Sequence, residues 1–271
     1  MNTYADQSRS FLQRKSIHSQ WESDYLNPDM DRFYDLAFDD ILERLKPTPN
    51  NTILDAGCGY CYHTVRLTRG GCKITAVDFS EAALSEAQKT IERANIEGQV
   101  SLQKGDLTAL PFADASFDFV ISWGVLMHIP QMETALFELS RVLKPGGTLV
   151  LSENNMKSLD VSIRERAIHR FKRGIGRRCS EMKLTPRGIE MWEGNESGGL
   201  MVRKTDMDFL ERYLSSLGLK QIARTPGQFT EAYTNMPTRF LKRIVYAINN
   251  FYFRNKLSAN LAVGNIIYFR K

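Results

Sequence analysis

The sequence predicts an α/β fold built on a parallel sheet, and three observations carry that expectation. Apolar runs of strand length recur at 51–55, 72–77, 99–103, 117–122 and 147–153, helical periodicity fills most of the intervals, and the first two runs end beside an acidic residue and a turn. Strands alternating with helices imply parallel pairing with helices on both faces. A chain of 271 residues with 42% hydrophobic content can bury one such core with room for a lid.

The elements follow in order. Phe33, Leu36, Ala37, Ile41 and Leu45 recur at helical spacing over 30–46, and Pro47 and Pro49 end that helix. Strand 51–55 leads into a glycine turn and a helix over 61–69, and strand 72–77 follows. Ser80 is placed to cap the next helix, with Glu81 in its first turn, running to Ala94. A helix over 131–143 precedes the strand at 147–153. Beyond Glu153 the pattern breaks: 154–204 is polar and Gly-rich with a basic helical piece near 158–173, which reads as an insertion. A helix over 205–217, a strand at 219–224 and a last strand at 263–269 resume the alternation, with 227–262 as a second insertion too long for a hairpin loop. The expected layout is an N-terminal helical cap over 1–50, a core over 51–153, the lid insertion and the closing elements over 205–271.

The chemistry concentrates in Leu54-Asp55-Ala56-Gly57-Cys58-Gly59. Two glycines let the backbone turn sharply at a strand end and come close to a ligand. A second acidic strand end, Val77-Asp78-Phe79, lies about 20 residues on, where α/β nucleotide folds place the carboxylate that takes ribose hydroxyls. The third glycine of a dinucleotide fingerprint would fall at Tyr62, too bulky for a pyrophosphate to pass. The pocket therefore reads as one for a nucleoside without phosphates.

Leu54–Gly59, Val77-Asp78-Phe79-Ser80, Gly105-Asp106-Leu107 with Leu110-Pro111-Phe112, Phe117-Asp118-Phe119-Val120 and Leu143-Lys144-Pro145-Gly146-Gly147-Thr148-Leu149 stand in one order across 51–153. In these motifs the chain resembles the class I S-adenosylmethionine (SAM) methyltransferases, in particular the broad small-molecule branch often called type 11. The resemblance implies a Rossmann-like, doubly wound, seven-stranded, mostly parallel sheet whose last strand is antiparallel. It also implies SAM as cofactor and S-adenosylhomocysteine as product. Backbone amides of Ala56, Gly57, Cys58 and Gly59 suit the carboxylate of the cofactor, and Asp55 suits the turn or the ammonium. Asp78 is placed for the ribose and Phe79 for the adenine face; the resemblance adds Asp106 and the Leu107 amide for the adenine edge. Helix capping and turn making are the competing roles for the three aspartates. Trp123, at the end of the fourth strand, completes the expected cofactor set.

Methyl transfer is an in-line displacement at carbon, so much of its acceleration comes from positioning, and a hydroxyl acceptor gains from a base. His128, just past the fourth strand, is the first candidate base, ahead of Glu153 and of His169 in the basic insertion; packing, orientation or a solvated face are their structural alternatives. Enzymes that methylate exocyclic amines of nucleobases usually carry Asn or Asp, then Pro-Pro and an aromatic, where this chain has Ser122-Trp123-Gly124-Val125. Nucleic acid is accordingly disfavoured as a partner.

The net charge of +5 is unevenly spread: 164–178 carries +6, 237–271 carries +7, and the remainder −8. Arg164, Arg170 and Arg173, with Tyr34, are the expected substrate contacts, suited to an acidic small-molecule or lipid- or glycan-linked acceptor. Over 238–253, Phe240, Leu241, Ile244, Val245, Ile248, Phe251 and Tyr252 share one helical face, with basic residues largely opposite. A lid or peripheral membrane contact is one reading; a helix packed on the core with a solvated basic face is the preferred one. Cys58-x-x-Cys61 has redox or zinc spacing but no second pair, so small residues filling a turn are expected and no metal. The N-terminus has no apolar leader and no run approaches ~20 apolar residues, so a cytoplasmic protein is expected. Trp21, Tyr25 and Tyr34 are candidates to fold over the pocket. An RNA or protein methyltransferase and a non-catalytic SAM-fold binding protein are the alternative functions; the oligomeric state is not legible.

Overall fold

The computed structural model describes residues 28–163, 182–195 and 198–271, together with Gln13. The strands are β1 (Thr52–Ala56), β2 (Lys73–Asp78), β3 (Val100–Lys104), β4 (Phe117–Trp123), β5 (Leu143–Asn154), β6 (Met182–Thr185), β7 (Gly188–Asn195), β8 (Gly198–Thr205), β9 (Lys220–Pro226) and β10 (Gly264–Arg270). The helices are α1 (Pro28–Leu45), α2 (Tyr62–Leu67), α3 (Glu81–Ala94), α4 (Met132–Val142), α5 (Met207–Ser216) and α6 (Arg239–Arg254).

Seven strands form one sheet in the order β3-β2-β1-β4-β5-β10-β9. β1 to β5 are mutually parallel, and β10 runs antiparallel to both β5 and β9. The chain winds outward from β1 through β2 to β3, then returns to place β4 on the other side of β1. Strand order reverses there, and the crevice outside the carboxyl ends of β1 and β4 is where such sheets take ligands. The sheet separates two apolar layers. Ile53 packs into the layer with α1 and α3, while its neighbour Leu54 packs into the layer with α4 and α5, as the two-residue repeat of a strand requires. Local chemistry sets the helix ends: the Ser80 hydroxyl accepts from the Ala83 amide at 3.3 Å, and Asp206 accepts from the amides of Asp208 and Phe209.

Two segments depart from the sequence reading. The stretch expected to be irregular holds a second, antiparallel sheet, β6-β7-β8. Its alternation is masked in the sequence because two inward positions are charged: Glu190 and Arg203 are 6% and 0% exposed. Gly188 starts β7 at φ +135°, and a Cβ there would lie 2.1 Å from the Lys204 carbonyl oxygen. The second departure is α6. It packs through Val245, Tyr246, Asn249, Tyr252 and Phe253, not through the face richest in Ile and Phe. Asn249 fixes that rotation, since its carboxamide accepts from the Thr230 N–H at 3.1 Å and donates to the Thr230 carbonyl at 3.0 Å. Phe229 stacks on Tyr252 with centroids 4.6 Å apart. The expectation of an inward apolar face and a solvated basic one is thus corrected.

Candidate cofactor and acceptor site

The turn after β1 is built by close approach. Gly57 has φ +84°, and a Cβ there would come within 2.5 Å of the Val125 side chain, so the loop after β4 lies directly against it. The amides of Gly57 and Cys58 both donate to the Val77 carbonyl, at 2.8 and 3.0 Å. The Gly59 amide donates to Asp78 Oδ2 at 3.0 Å, and Ser80 N–H donates to Asp78 Oδ1 at 2.9 Å. These three turn amides are therefore engaged in holding the β2 end, where the sequence reading assigned them to a ligand carboxylate. The result is a preset cradle in which the buried Asp78 carboxylate is oriented by backbone on both oxygens.

Asp55 is buried, and Thr64 on α2 donates its hydroxyl to Asp55 Oδ2 at 2.5 Å. Burial, with the nearby Asp78 charge adding to it, pushes the Asp55 carboxyl up to about 6. Asp106 turns the chain after β3, its Oδ1 accepting from both the amide and the hydroxyl of Thr108, with Leu107 buried beside it. Phe79 is half-buried at the β2 end and Ala56 is buried at the β1 end. Cys58 and Cys61 are free thiols; a hydrogen bond with Cys61 and burial push the Cys58 thiol well up, which makes it a poor nucleophile. Among the described residues no group of three metal-ligating side chains occurs.

An aromatic cluster that the sequence reading missed ties α1 to this turn. His63, on α2, stacks on Phe38 at 5.0 Å and lies 4.6 Å from Tyr34 and 5.6 Å from Trp123, centroid to centroid. Burial pushes His63 down to about 3, and its Nδ1 is buried without a hydrogen-bond partner. Tyr34 is buried here, under Arg66, so it sits in the cluster that carries Trp123 rather than on an open acceptor surface. The signal available in the sequence was a histidine two residues after the second cysteine of the turn.

The other side of the crevice is closed by the small sheet. Arg203 donates to the carbonyls of Leu126 and Ile129 at 3.0 Å each and to Glu190 at 3.0 and 3.1 Å. His128 bonds the Met201 carbonyl at 2.9 Å through Nδ1. A carbonyl only accepts, so Nδ1 carries the proton, and burial pushes the ring down to about 4, leaving it neutral with its lone pair on Nε2. Glu153 is buried at the end of β5, next to Ser152, the register partner of Trp123. Its Oε2 accepts from the Thr205 hydroxyl at 3.2 Å, while Oε1 is buried with no hydrogen-bond partner. Burial pushes this carboxyl up to about 7 against the opposing pull of Arg203. An arginine directly after the apolar run Leu200–Val202 was the signal for this knot. His169, Arg164, Arg170 and Arg173, like Trp21 and Tyr25, lie outside the described residues.

A switch-point crevice with a strand-end aspartate set on a glycine turn defines a class I, nucleoside-cofactor fold of the methyltransferase type. Residues 54–151, well under half of the chain, match the sequence model of the family described as "Methyltransferase domain", and in this stretch the chain is similar to SAM-dependent methyltransferases. It is 38% identical over 111 residues to the O-methyltransferase resE of Aspergillus sclerotiorum, covering 41% of this chain and 42% of that one. It is 30% identical over 174 residues to a demethylmenaquinone methyltransferase of Desulfitobacterium hafniense, covering 62% and 63%. The matched stretch thus spans less than two thirds of those relatives. Magnesium protoporphyrin IX methyltransferase from Synechocystis PCC 6803, solved with bound S-adenosylhomocysteine, shares the fold at a TM-score of 0.64 and 14% identity, covering 97% of this chain and 99% of that one.

Proposed function

We propose that the chain transfers the SAM methyl group to an oxygen of a small-molecule, lipid-linked or glycan-linked acidic acceptor. The observation that carries the acceptor chemistry is Glu153: a buried carboxylate at the crevice with one oxygen unpartnered and its ionisation held near neutral pH. A base works best when its pKa lies near the working pH, which places Glu153 ahead of His128, whose ring is held near 4. The cradle suits the cofactor: Asp78 is fixed by two amides, and Gly57 lets the turn close against Val125 where a Cβ would clash. Bound there, SAM supplies an electrophilic methyl. Asp78 holds the ribose hydroxyls, Asp55 receives the ammonium, Phe79 and Leu107 line the adenine, and Trp123 closes the pocket toward α1. Glu153 Oε1 accepts the acceptor's proton, and His128 positions the loop through Met201. The names of the relatives support this reading, one an O-methyltransferase and the other acting on demethylmenaquinone. Arg164, Arg170 and Arg173 are assigned to the acidic group of the acceptor and His169 is the reserve base.

The test is a screen of phosphorylated glycans, lipids and phenols for SAM-dependent methylation, followed by Glu153→Gln on the acceptor found. The expected result is a kcat that rises with pH through about 7 in the parent, and a loss of roughly 100-fold with that rise abolished in the variant, at unchanged S-adenosylhomocysteine affinity. Full activity in the variant removes Glu153 from the mechanism.

A further inference from the structure

The motif Leu143–Leu149 takes no part in the crevice. It opens β5 at the amino end of the parallel strands, and Thr148 is separated from Asn154 by about 20 Å of extended chain. At this opposite end the molecule holds a cavity of about 440 Å³, inside the range of roughly 300–1,000 Å³ that small-molecule sites occupy. The cavity lies on the α1 face of the sheet, beside the last turn of that helix: Phe119 from β4, Ala223 from β9 and Tyr268 from β10 all turn to that face and line it, with Leu45. Its remaining side chains are largely cationic, Arg44, Lys144 and Arg270 against Asp118 alone.

We propose that this cavity binds a small organic anion, its phosphate or carboxylate taken by Arg44 and Arg270 and its apolar body laid on Phe119, Ala223 and Tyr268. Each cation already has a partner, and the partners do not exhaust the donors. Lys144 is spent on Asp118 at 2.9 Å, and Asp118 Oδ2 also accepts from the amide and hydroxyl of Thr52. Arg44 gives only its Nε to Asp40, at 2.9 Å, and lies 5.4 Å over the Tyr268 ring. Arg270 gives only Nη1, to the Gly146 carbonyl at 2.7 Å. Nη1 and Nη2 of Arg44 and Nε and Nη2 of Arg270 are thus left without a hydrogen bond among the described residues. The charge is also in excess: Asp40 answers Lys256 at 2.7 Å as well as Arg44, Arg270 has no carboxylate within ion-pair distance among the described residues, and the nearby Lys271 main-chain oxygen is taken by the Gly146 amide at 2.9 Å. A guanidinium with two free N–H groups matches the oxygens of a phosphate or carboxylate, and an apolar wall beside it selects an anion that carries a body over a bare ion. The site stands at the amino ends of the parallel strands and the crevice at their carboxyl ends, so both can be filled at once. It does not depend on the methyl-transfer reading.

The experiment is calorimetric titration of 1-naphthyl phosphate into the full chain with and without S-adenosylhomocysteine, with inorganic phosphate and 1-naphthol as the two halves of the probe. The expected result is that the probe binds about tenfold more tightly than either half, whether or not S-adenosylhomocysteine is present. Arg44→Gln and Arg270→Gln each weaken the probe about tenfold, the loss of hydrogen bonds to a charged group, and leave S-adenosylhomocysteine affinity unchanged, which also shows that both variants fold. Absence of probe binding overturns the proposal, as does binding that both variants leave untouched. Binding that S-adenosylhomocysteine abolishes puts the probe in the cofactor cradle and overturns it too, and inorganic phosphate binding as tightly as the probe reduces the site to surface charge. A chain that takes the probe but not S-adenosylhomocysteine upholds this site and tells against the cofactor reading instead.

Discussion

The two walls of the crevice are held by contacts of very different reach. On the cofactor wall the anchoring pairs are Asp78 with Gly59, Asp55 with Thr64 and Asp106 with Thr108, which lie 19, 9 and 2 residues apart. On the lid wall Arg203 reaches Leu126 and Ile129 across 77 and 74 residues, and His128 reaches Met201 across 73. The first wall is one supersecondary unit that carries its own geometry. The second exists only after the small sheet has docked, so its stability and its shape are one property.

That contrast can be broken or sharpened in descending order of effect. Arg203→Met leaves the Leu126 and Ile129 carbonyls without this donor and the buried Glu190 carboxylate with only the longer contacts to Arg187 at 3.6 Å and Thr185 at 3.5 Å, so unfolding free energy falls by about 3 kcal/mol, read by chemical denaturation. Adding Glu190→Leu recovers most of that loss; if it does not, Arg203 acts through more than this knot. Asp78→Ala weakens S-adenosylhomocysteine about 100-fold by calorimetry, the loss of hydrogen bonds to a charged group, and leaves the melting temperature of the lid unaltered if the walls are independent. Gly57→Ala strains the turn by roughly 1–3 kcal/mol, and Val125→Ala added to it restores space but not the unfavourable φ, so affinity returns only in part.

Protonation separates the walls further. Asp55 is held up at about 6, and an arriving ammonium favours its charged form. Cofactor affinity should therefore tighten as pH rises through 6 and lose that dependence in Asp55→Asn. Glu153, raised from 4.5 to about 7, has the linkage sign of a group whose folded value exceeds its unfolded one: its stabilisation is complete below about 4.5 and is lost as pH climbs to 7. Melting curves at pH 5 and 7.5 should converge in Glu153→Gln by that contribution. The smallest effect belongs to His63→Phe. It removes a buried nitrogen without a partner while keeping the stack on Phe38, so stability should change by less than about 1 kcal/mol or rise; a large loss would show that the ring bonds a ligand.

What was legible in the sequence follows the same division. Every strand of the large sheet was placed within about two residues except β5, which starts at Leu143 and not at 147, because strand runs, caps and glycine turns are written locally. The turn positions of Asp55, Asp78 and Asp106 at the strand ends were legible for the same reason. The small sheet was not, since Glu190 and Arg203 break the apolar alternation at the positions that face inward and are reconciled only by tertiary contacts, with each other and with the Leu126 and Ile129 carbonyls. The rotation of α6 was misjudged because apolar density pointed one way and the Asn249 clamp on Thr230 the other. A helix turns the face its specific bonds select, and periodicity cannot weigh a hydrogen bond against two isoleucines.

The position of β10 bears on the order in which the molecule assembles. It lies between β5 and β9 in the sheet although it follows both in sequence, and β9 has no other neighbour there. Residues 220–263 therefore cannot acquire a sheet partner until 264–270 has inserted beside β5, which makes insertion of that strand a late, non-local step in folding. The strands from β1 to β5 need no such wait. Hydrogen exchange during refolding should show amides of β1 and β4 protected before those of β9, and simultaneous protection would mean that the sheet closes as one unit.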